Sequence, residues 1–328
     1  MNVLFASAEM APLARVGGLA EAASGLAAAL RAAGIELDVV LPDYFDTALS
    51  KEQQRPLYVP GWAQPASARR GEAPGVGNVT LVNVPGIVRP HPYIDDTGPG
   101  STDNAARLCA FSAAGAALIQ TSQPDVVHLT DWHTASALAF LWDRPPVAFT
   151  IHTLGYQGWA GGEWLPRLPQ HFSAFECFGD VNPLAGALQV ADRVIAVSPN
   201  YADEIRRPES GMGLDHVLNE LGDRLVGIRN GIDTAVWNPE TDKNLTTNYT
   251  AETLDDKDDA RADLMAAAGW EDDRTIPVVG MVTRLVDQKG IDIALETVRY
   301  AERMPFRLVL LGSGERQLAD WARWAAAT

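Results

Sequence analysis

The sequence has little cysteine, little lysine and no apolar run long enough for a membrane span. Its two cysteines, Cys109 and Cys177, are too few for a disulfide framework and lack the spacing of a metal site, which favours a reducing compartment. The first ten residues, MNVLFASAEM, lack the basic start of a signal peptide and are typical of a β-strand. We therefore expect a cytoplasmic protein with no membrane partner.

Acidic residues dominate the charge of the chain. The formal net charge is −16 and the sequence pI is about 4.7. Such a surface repels nucleic acid and anionic membranes, so an anionic ligand has to meet a local basic site. Because only four of the 26 basic residues are lysines, Lys289, beside Gly290, is a notable candidate for such a site.

Short apolar runs alternate with alanine-rich helical stretches along the first 230 or so residues. This alternation predicts βα units that build a mostly parallel sheet covered on both faces. The strand-like runs are NVLFAS, ELDVVLP, VTLVNVP, DVVHLT, VAFTIH, RVIAVS and LVGIRNG. The predicted helices are residues 20–33, DNAARLCAFSAAGAALIQ, and a helix starting at about Thr134.

The composition changes near residue 240, where the chain becomes polar and acidic. A second alternating pattern then begins with IPVVGMVTRL and continues through two helices and one more strand. We predict an N-terminal domain over 1–240, an acidic connector over 241–275 and an incomplete C-terminal domain over 276–328. Two strands and two helices form a small unit, so we expect its helices to expose an apolar face that includes Trp321 or Trp324.

Polar residues follow the predicted strands, where open parallel sheets bind their ligands. The candidates are Glu9, Arg15, Gly17 and Gly18 after the first strand, then Asp131, Trp132, His133, His152, Thr153, Tyr156, Asn230, Gly231, Asp233, Arg284 and Lys289 after later strands.

Two of these groups suit anion binding. Gly17 and Gly18 open a helix whose free N–H groups and positive dipole end attract a phosphate, although a tight turn also explains two glycines. The spacing is not that of a dinucleotide-binding fingerprint. Arg284 and Lys289 lie on one loop and could clamp a diphosphate, or form a solvated basic loop.

Other candidates suit sugar binding. His152 could hydrogen-bond a sugar or a phosphate, or serve only as a structural residue at a strand end. Asp131 could bind a sugar hydroxyl next to the Trp132 ring, or cap the following helix. The aromatic loop 155–164 could stack on sugar, or pack as core or lid.

Taken together, these motifs resemble the bacterial-type glycogen and starch synthases, which are retaining glucosyltransferases of the GT-B fold. The resemblance extends over the whole chain. The matching segments, in the family's order, are SAEMAPLARVGGLAEA, VVHLTDWHTA, FTIHTLGYQG, ADRVIAVSPNYADEI, RNGIDTAVWNPETD and TRLVDQKGID, with 89–104 as a looser match.

The resemblance implies an α/β protein with one complete Rossmann-like domain and the start of a second, with a catalytic cleft between them. The first domain would hold a glucan acceptor and the second a sugar nucleotide. The implied reaction moves glucose from ADP-glucose to the non-reducing end of an α-1,4-glucan such as glycogen, with retention. It uses no metal and no cofactor besides the donor substrate.

The resemblance also implies a role for each candidate. The implied catalytic residues are His152, Asp131, Arg284 and Lys289. The implied substrate-binding residues are Glu9, Arg15, Gly17, Gly18, Tyr93 and Asn230.

Three departures from the family pattern are visible. Arg15 and Ala185 stand where the family usually has lysine, and the glutamate of the family's later acidic motif has no counterpart. We therefore expect this chain itself to be weak or inactive in transfer. The alternatives are a non-catalytic, glucan-binding short form and a GT-B transferase with another donor, similar to sucrose synthase.

Overall fold

The computed structural model describes residues 1–94 and 103–327. Residues 95–102, inside the looser 89–104 match, lie outside the described residues. The chain divides into two compact units, Met1–Asp233 and Thr234–Thr328.

The first unit is built from alternating strands and helices. Its strands are β1 (Asn2–Ala6), β2 (Glu36–Pro42), β3 (Ser50–Pro56), β4 (Ser67–Ala73), β5 (Gly77–Asn83), β6 (Val126–Thr130), β7 (Val147–Ile151), β8 (Glu176–Cys177), β9 (Asp180–Val181), β10 (Arg193–Ala196) and β11 (Leu225–Gly227). Its helices are α1 (Gly18–Ala32), α2 (Asn104–Ser122), α3 (Asp131–Ala135), α4 (Phe172–Phe175), α5 (Pro183–Val190), α6 (Pro199–Glu204) and α7 (Asp215–Glu220).

Nine strands form one sheet in the order β11-β10-β7-β6-β1-β2-β5-β4-β3. The pairings from β11 to β5 are all parallel, and those of β4 with β5 and with β3 are antiparallel. The predicted mostly parallel sheet is confirmed. The sequence pattern missed the hairpin of β3 and β4, because β3 (SKEQQRP) is exposed along its whole length at the sheet edge and carries no apolar alternation.

Both faces of the parallel sheet are buried. Leu4 belongs to the apolar cluster that contains α2, whereas its neighbour Phe5 belongs to the cluster that contains Ala23 and Ala27 of α1. Successive strand residues point to opposite faces, so the apolar β1 sequence places one residue in each core.

The helix predicted to start near Thr134 begins earlier and is short. Helix α3 starts at Asp131, and a 3₁₀ turn over Ser136–Phe140 follows it. A helical segment is present as predicted, but it starts three residues earlier, and the Thr134 hydroxyl closes its first turn onto the strand end. It accepts a hydrogen bond from the Thr130 N–H and donates one to the Thr130 carbonyl, both at 2.8 Å.

The second unit is smaller. It contains the parallel pair β12 (Val278–Val282) and β13 (Arg307–Leu311), with helices α8 (Lys257–Ala268), α9 (Ile291–Thr297) and α10 (Arg316–Ala327). Helix α8 lies within the segment predicted as a connector. Trp321 packs against a small apolar cluster centred on Leu285, and Trp324 is 62% exposed.

Across the described part of the chain, the helices are too short or too polar to cross a lipid bilayer.

Candidate functional site

The carboxylate of Glu9 closes the loop between β1 and α1. Its Oε2 accepts hydrogen bonds from the backbone N–H groups of Val16 at 2.9 Å and Gly17 at 2.8 Å. Glu9 is buried, and charged groups are rarely buried without such partners. The N–H groups of Val16 and Gly17, which directly precede α1, are therefore held by the protein's own carboxylate.

The turn geometry does not explain the two glycines of this loop. Gly17 has an extended backbone with φ of −143°, and neither Gly17 nor Gly18 has the positive φ that favours glycine. A Cβ at either position would meet no atom within 4 Å. The missing side chains leave open space in front of the first turn of α1, where a ligand can approach the backbone.

Arg15 lies in the same loop with an exposed side chain. Its Nε donates to Oε1 of Glu21 at 2.6 Å, and its Nη2 donates to the same oxygen. The loop cation is therefore paired with an acidic residue in the first turn of α1, a partner that the motif alone did not indicate.

Tyr93 connects Glu9 to the residues after β6. Its hydroxyl donates to Oε1 of Glu9 at 2.9 Å, and its ring stacks on His133 at a centroid distance of 5.1 Å. Burial lowers the pKa of His133 to about 3, and its Nδ1 is buried without a hydrogen-bond partner among the described residues. The imidazole is therefore neutral and has one ring nitrogen free for a ligand or a water.

Asp131 is buried at the carboxyl end of β6 with φ of 52°, a conformation uncommon outside glycine. Its Oδ1 accepts a hydrogen bond from the backbone N–H of His152 at 2.7 Å. Burial raises the pKa of Asp131 to about 7, although the backbone hydrogen bonds from His152 and Thr153 act in the opposite direction. Asp131 does not cap helix α3, since Thr130 occupies the N-cap position.

His152 follows the end of β7, which pairs directly with β6. Burial lowers its pKa to about 4. At neutral pH the imidazole is uncharged. One ring nitrogen then donates a hydrogen bond and the other accepts one, and the ring does not act as a cation.

Arg107 is a buried residue that the sequence motifs did not indicate. Its Nη2 donates to the Pro92 carbonyl and to Oδ1 of Asn104, which fastens the segment that carries Tyr93. Nε and Nη1 have no hydrogen-bond partner among the described residues, although Nε lies 3.6 Å from the Asp103 carboxylate. The available signal was a single arginine inside an otherwise apolar stretch of α2.

Two other residues flagged by the motifs lie apart from this network. Asn230 is exposed beyond β11, and its backbone N–H donates to the Val197 carbonyl at 3.3 Å. Ala185 is buried in α5, where its N–H donates to the cap residue Asn182 at 3.0 Å. Within the described residues, neither is hydrogen-bonded to Glu9 or Asp131.

In the second unit, Arg284 and Lys289 lie on the loop that leaves β12. Both are exposed and form no salt bridge within the described part of the chain. Leu285 is buried between them and anchors the loop. Two cations are thus presented to solvent from a fixed loop.

A glycine-rich turn after β13 packs on the loop that carries Arg284. A Cβ at Gly312 would lie 1.9 Å from the Thr283 carbonyl oxygen, and one at Gly314 would lie 2.3 Å from that of Leu285. The same turn borders a cavity of about 380 Å³ that is also lined by Arg316 and Arg323. Only glycine permits this close approach of the two loops.

The described residues include no group of three or more His, Cys, Asp or Glu side chains arranged to hold a metal ion.

Known proteins resemble this chain in both sequence and structure. The family model described as the starch synthase catalytic domain matches residues 2–220. The chain is 38% identical over 336 residues to a glycogen synthase of Dechloromonas aromatica, covering 96% of this chain and 69% of that protein. It is 37% identical over 347 residues to a glycogen synthase of Aromatoleum aromaticum, covering 100% and 70%.

A solved structure is also similar. The catalytic domain of starch synthase IV from Arabidopsis thaliana, bound to ADP and acarbose, superposes with a TM-score of 0.85 at 30% identity. The match covers 98% of this chain and 70% of that one. The chain therefore spans about 70% of the length of these relatives.

Proposed function

The chain belongs to the starch and glycogen synthase family of glycosyltransferases with the GT-B fold, and on that premise we propose that it acts with ADP-glucose as donor and an α-1,4-glucan as acceptor. Glucose is transferred to the non-reducing end of the glucan with retention at the reacting carbon. No metal or further cofactor takes part.

Two groups of polar contacts at the strand ends of the first unit, together called the strand-end network, carry this proposal. Glu9, Tyr93 and His133 are joined by a hydrogen bond and a ring stack, and Asp131 is bonded to His152 on the adjacent strand. These residues offer carboxylate, phenol and neutral imidazole groups within one edge of a parallel sheet. Such groups suit the many hydroxyls of a sugar, which donate and accept at the same time.

The neutral state of His152 supports contact with the transferred glucose. A positive charge there would oppose the positive charge that develops at the reacting carbon during glycosyl transfer. The Asp131 carboxylate fixes the backbone of His152 at the end of β7. We assign His152 to the donor glucose and Glu9, Tyr93 and Asp131 to the sugar-binding groups around it.

Arg284 and Lys289 are the proposed diphosphate-binding cations of the second unit, and Arg15 is a proposed substrate-binding cation of the first unit. The departing nucleoside diphosphate gains negative charge, and fixed cations stabilise that charge without a metal ion. Arg284 and Lys289 have no competing carboxylate partner among the described residues, whereas Arg15 is paired with Glu21. Gly17 and Gly18 complete the proposed substrate contacts by leaving open space in front of α1, and Asn230 does so through its side-chain amide.

Two measurements test the proposal on the chain as it stands. Affinity electrophoresis measures glycogen binding, which depends on the acceptor-binding residues of the first unit. Incorporation of labelled glucose from ADP-glucose or UDP-glucose into glycogen measures the complete reaction. We expect glycogen binding and slow transfer from ADP-glucose that His152→Ala and Lys289→Ala both abolish. Absence of glycogen binding, or a preference for UDP-glucose, contradicts the proposal. Binding without any transfer agrees with the expected weak or absent activity of this chain, and it does not by itself separate the transferase from the glucan-binding alternative.

A further inference from the structure

We propose that Trp159 and Phe178 form a distal binding site for the acceptor α-glucan, on a rigid platform that extends away from the strand-end network. This inference rests on the proposed function, because it requires a glucan acceptor. It adds a second site on the protein that holds the same glucan chain.

The platform starts at the candidate site. Gly158 has φ of 78°, and a Cβ there would lie 2.2 Å from Cε3 of Trp132. Within loop 155–164, the backbone at Gly158 therefore packs directly against the ring of Trp132, the residue next to Asp131. Trp159 follows directly, with 49% of its surface exposed. The loop thus leads from the strand-end network to an exposed aromatic ring within one residue.

The same loop is joined to the β8–β9 hairpin. Ala160 and Val181 exchange two backbone hydrogen bonds, at 3.0 Å and 2.8 Å. Gly162 donates its N–H to Oδ1 of Asp180 at 3.2 Å, and a Cβ at Gly162 would lie 2.2 Å from the Gly179 carbonyl oxygen. The loop and the hairpin tip are therefore one packed surface rather than two independent segments.

Buried polar contacts hold this surface from beneath. The Asn182 side chain donates to Oε1 of Gln157 at 2.6 Å and accepts from the Ala185 N–H at 3.0 Å. Gln157 also donates to the Leu154 and Met212 carbonyls. A surface fixed in this way can bind a ligand without first losing much conformational freedom.

The hairpin tip presents an aromatic ring at an energetic cost to the fold. Phe178 is 95% exposed and has φ of 54°, and Gly179 beside it has φ of 89°. A two-residue hairpin turn of this kind favours Asn-Gly or Asp-Gly, because aromatic residues rarely adopt a left-handed backbone. Neither burial nor turn geometry explains phenylalanine at this position, which points to a role in contact with a ligand.

The chemistry of the platform selects a neutral sugar polymer. Flat aromatic faces bury the apolar C–H faces of glucose rings, and Tyr156 offers a further exposed aromatic side chain on the same loop. The strongly negative chain repels polyanions. An α-glucan whose end occupies the strand-end network has to continue across nearby surface, and the loop that contacts Trp132 is continuous with that network.

The test compares short and long ligands on single-ring variants. We would titrate Trp159→Ala, Phe178→Ala and Phe178→Asn with maltotriose and maltoheptaose by calorimetry, and measure glycogen binding by affinity electrophoresis. Loss of one aromatic contact is expected to weaken maltoheptaose and glycogen binding by about tenfold, with maltotriose binding changed less than about twofold. Phe178→Asn suits the hairpin turn, so it separates loss of the ring from loss of folding.

Trp142→Ala is the matched control. Trp142 is 75% exposed, but it precedes β7, whereas His152 follows the other end of that strand. Its removal is therefore expected to leave the binding of maltotriose, maltoheptaose and glycogen unchanged.

Each outcome has one meaning. If the Trp159 and Phe178 variants bind maltoheptaose and glycogen as tightly as the wild type does, the distal site is overturned and the proposed function remains intact. Equal weakening for short and long ligands also overturns it, because the rings would then act at the primary site. If the wild-type chain self-associates and Phe178→Asn abolishes only that association, the surface is a contact between copies, which overturns the glucan site. Absence of glucan binding by the wild-type chain removes both proposals.

Discussion

The backbone N–H of His152 donates to the Asp131 carboxylate at 2.7 Å, across the adjacent ends of β7 and β6. The bond joins the Asp131 carboxyl group, whose pKa burial raises to about 7, to the backbone of His152, and burial lowers the pKa of the His152 imidazole to about 4. Near neutral pH the two residues therefore carry at most one negative charge between them. Near neutral pH the pair therefore presents no positive charge at this edge of the sheet.

Replacement of Asp131 by asparagine is expected to stabilise the fold at pH 8 while weakening glucan binding. The asparagine side chain keeps an acceptor for the His152 N–H and tolerates a positive φ, and the change removes a buried charge. We expect the free energy of unfolding in urea to rise by about 1–3 kcal/mol. Asp125→Asn is the control, because the exposed Asp125 makes a similar bond, to the Asn2 N–H, at the other end of β6. A less stable Asp131→Asn protein at pH 8 would contradict this account.

The free energy of unfolding is expected to fall as the pH drops below about 6.5. Burial lowers the pKa values of His128, His133 and His152 to between about 3 and 4, so each takes up a proton when the chain unfolds at mildly acidic pH. Asp131 releases a proton on unfolding instead, because its pKa of about 7 in the folded state lies above the ordinary value of 3.8.

The balance of these groups can be measured. Near pH 5.5, three histidines take up protons on unfolding and one carboxyl group releases its proton, so the chain takes up about two protons in total. The free energy of unfolding should therefore change by about 2–3 kcal/mol per pH unit. Urea unfolding at several pH values measures that slope, and Asp131→Asn is expected to steepen it towards three protons. A flat profile between about pH 5 and 6.5 would show that the histidines are not buried in their neutral form.

Replacement of Glu9 by alanine is expected to cost about 2–4 kcal/mol of unfolding free energy. It leaves the N–H groups of Val16 and Gly17 and the hydroxyl of Tyr93 without their acceptor. Glu21→Ala is the matched control, since the Glu21 carboxylate pairs with Arg15 in an exposed position and such pairs contribute less than about 1 kcal/mol. Equal losses for the two variants would argue against a buried anchoring role for Glu9.

Replacement of Gly158 by alanine is expected to lower the melting temperature and to disturb the Trp132 ring. The added Cβ would overlap that ring, and the backbone has φ of 78°. We expect a loss of about 2–4 kcal/mol and a shift in tryptophan fluorescence. Gly25→Ala in α1, where a Cβ meets nothing within 4 Å, is expected to stabilise by about 0.5–1 kcal/mol. If Gly158→Ala melts like the wild type, the loop does not press on Trp132.

Much of the site was predictable because strand ends are visible in the pattern. The runs before Glu9, Asp131 and His152 are apolar and bounded by polar residues, and parallel strands bring their carboxyl ends to one edge. The hairpin of β3 and β4 was not predictable, since its edge strand buries no side chain that would impose a period of two.

The sequence by itself determined the order of strands and helices, the dominance of parallel pairing and the positions of the polar strand ends, because local hydrophobic periodicity records which residues face a core. Only the tertiary structure decided which polar groups meet. Glu9 holds the loop that was interpreted as an anion site, Tyr93 reaches Glu9 from a segment 84 residues away, and Arg107 fastens that segment from inside α2. These contacts join distant parts of the chain, and hydrogen bonds of that kind leave no periodic trace in the sequence.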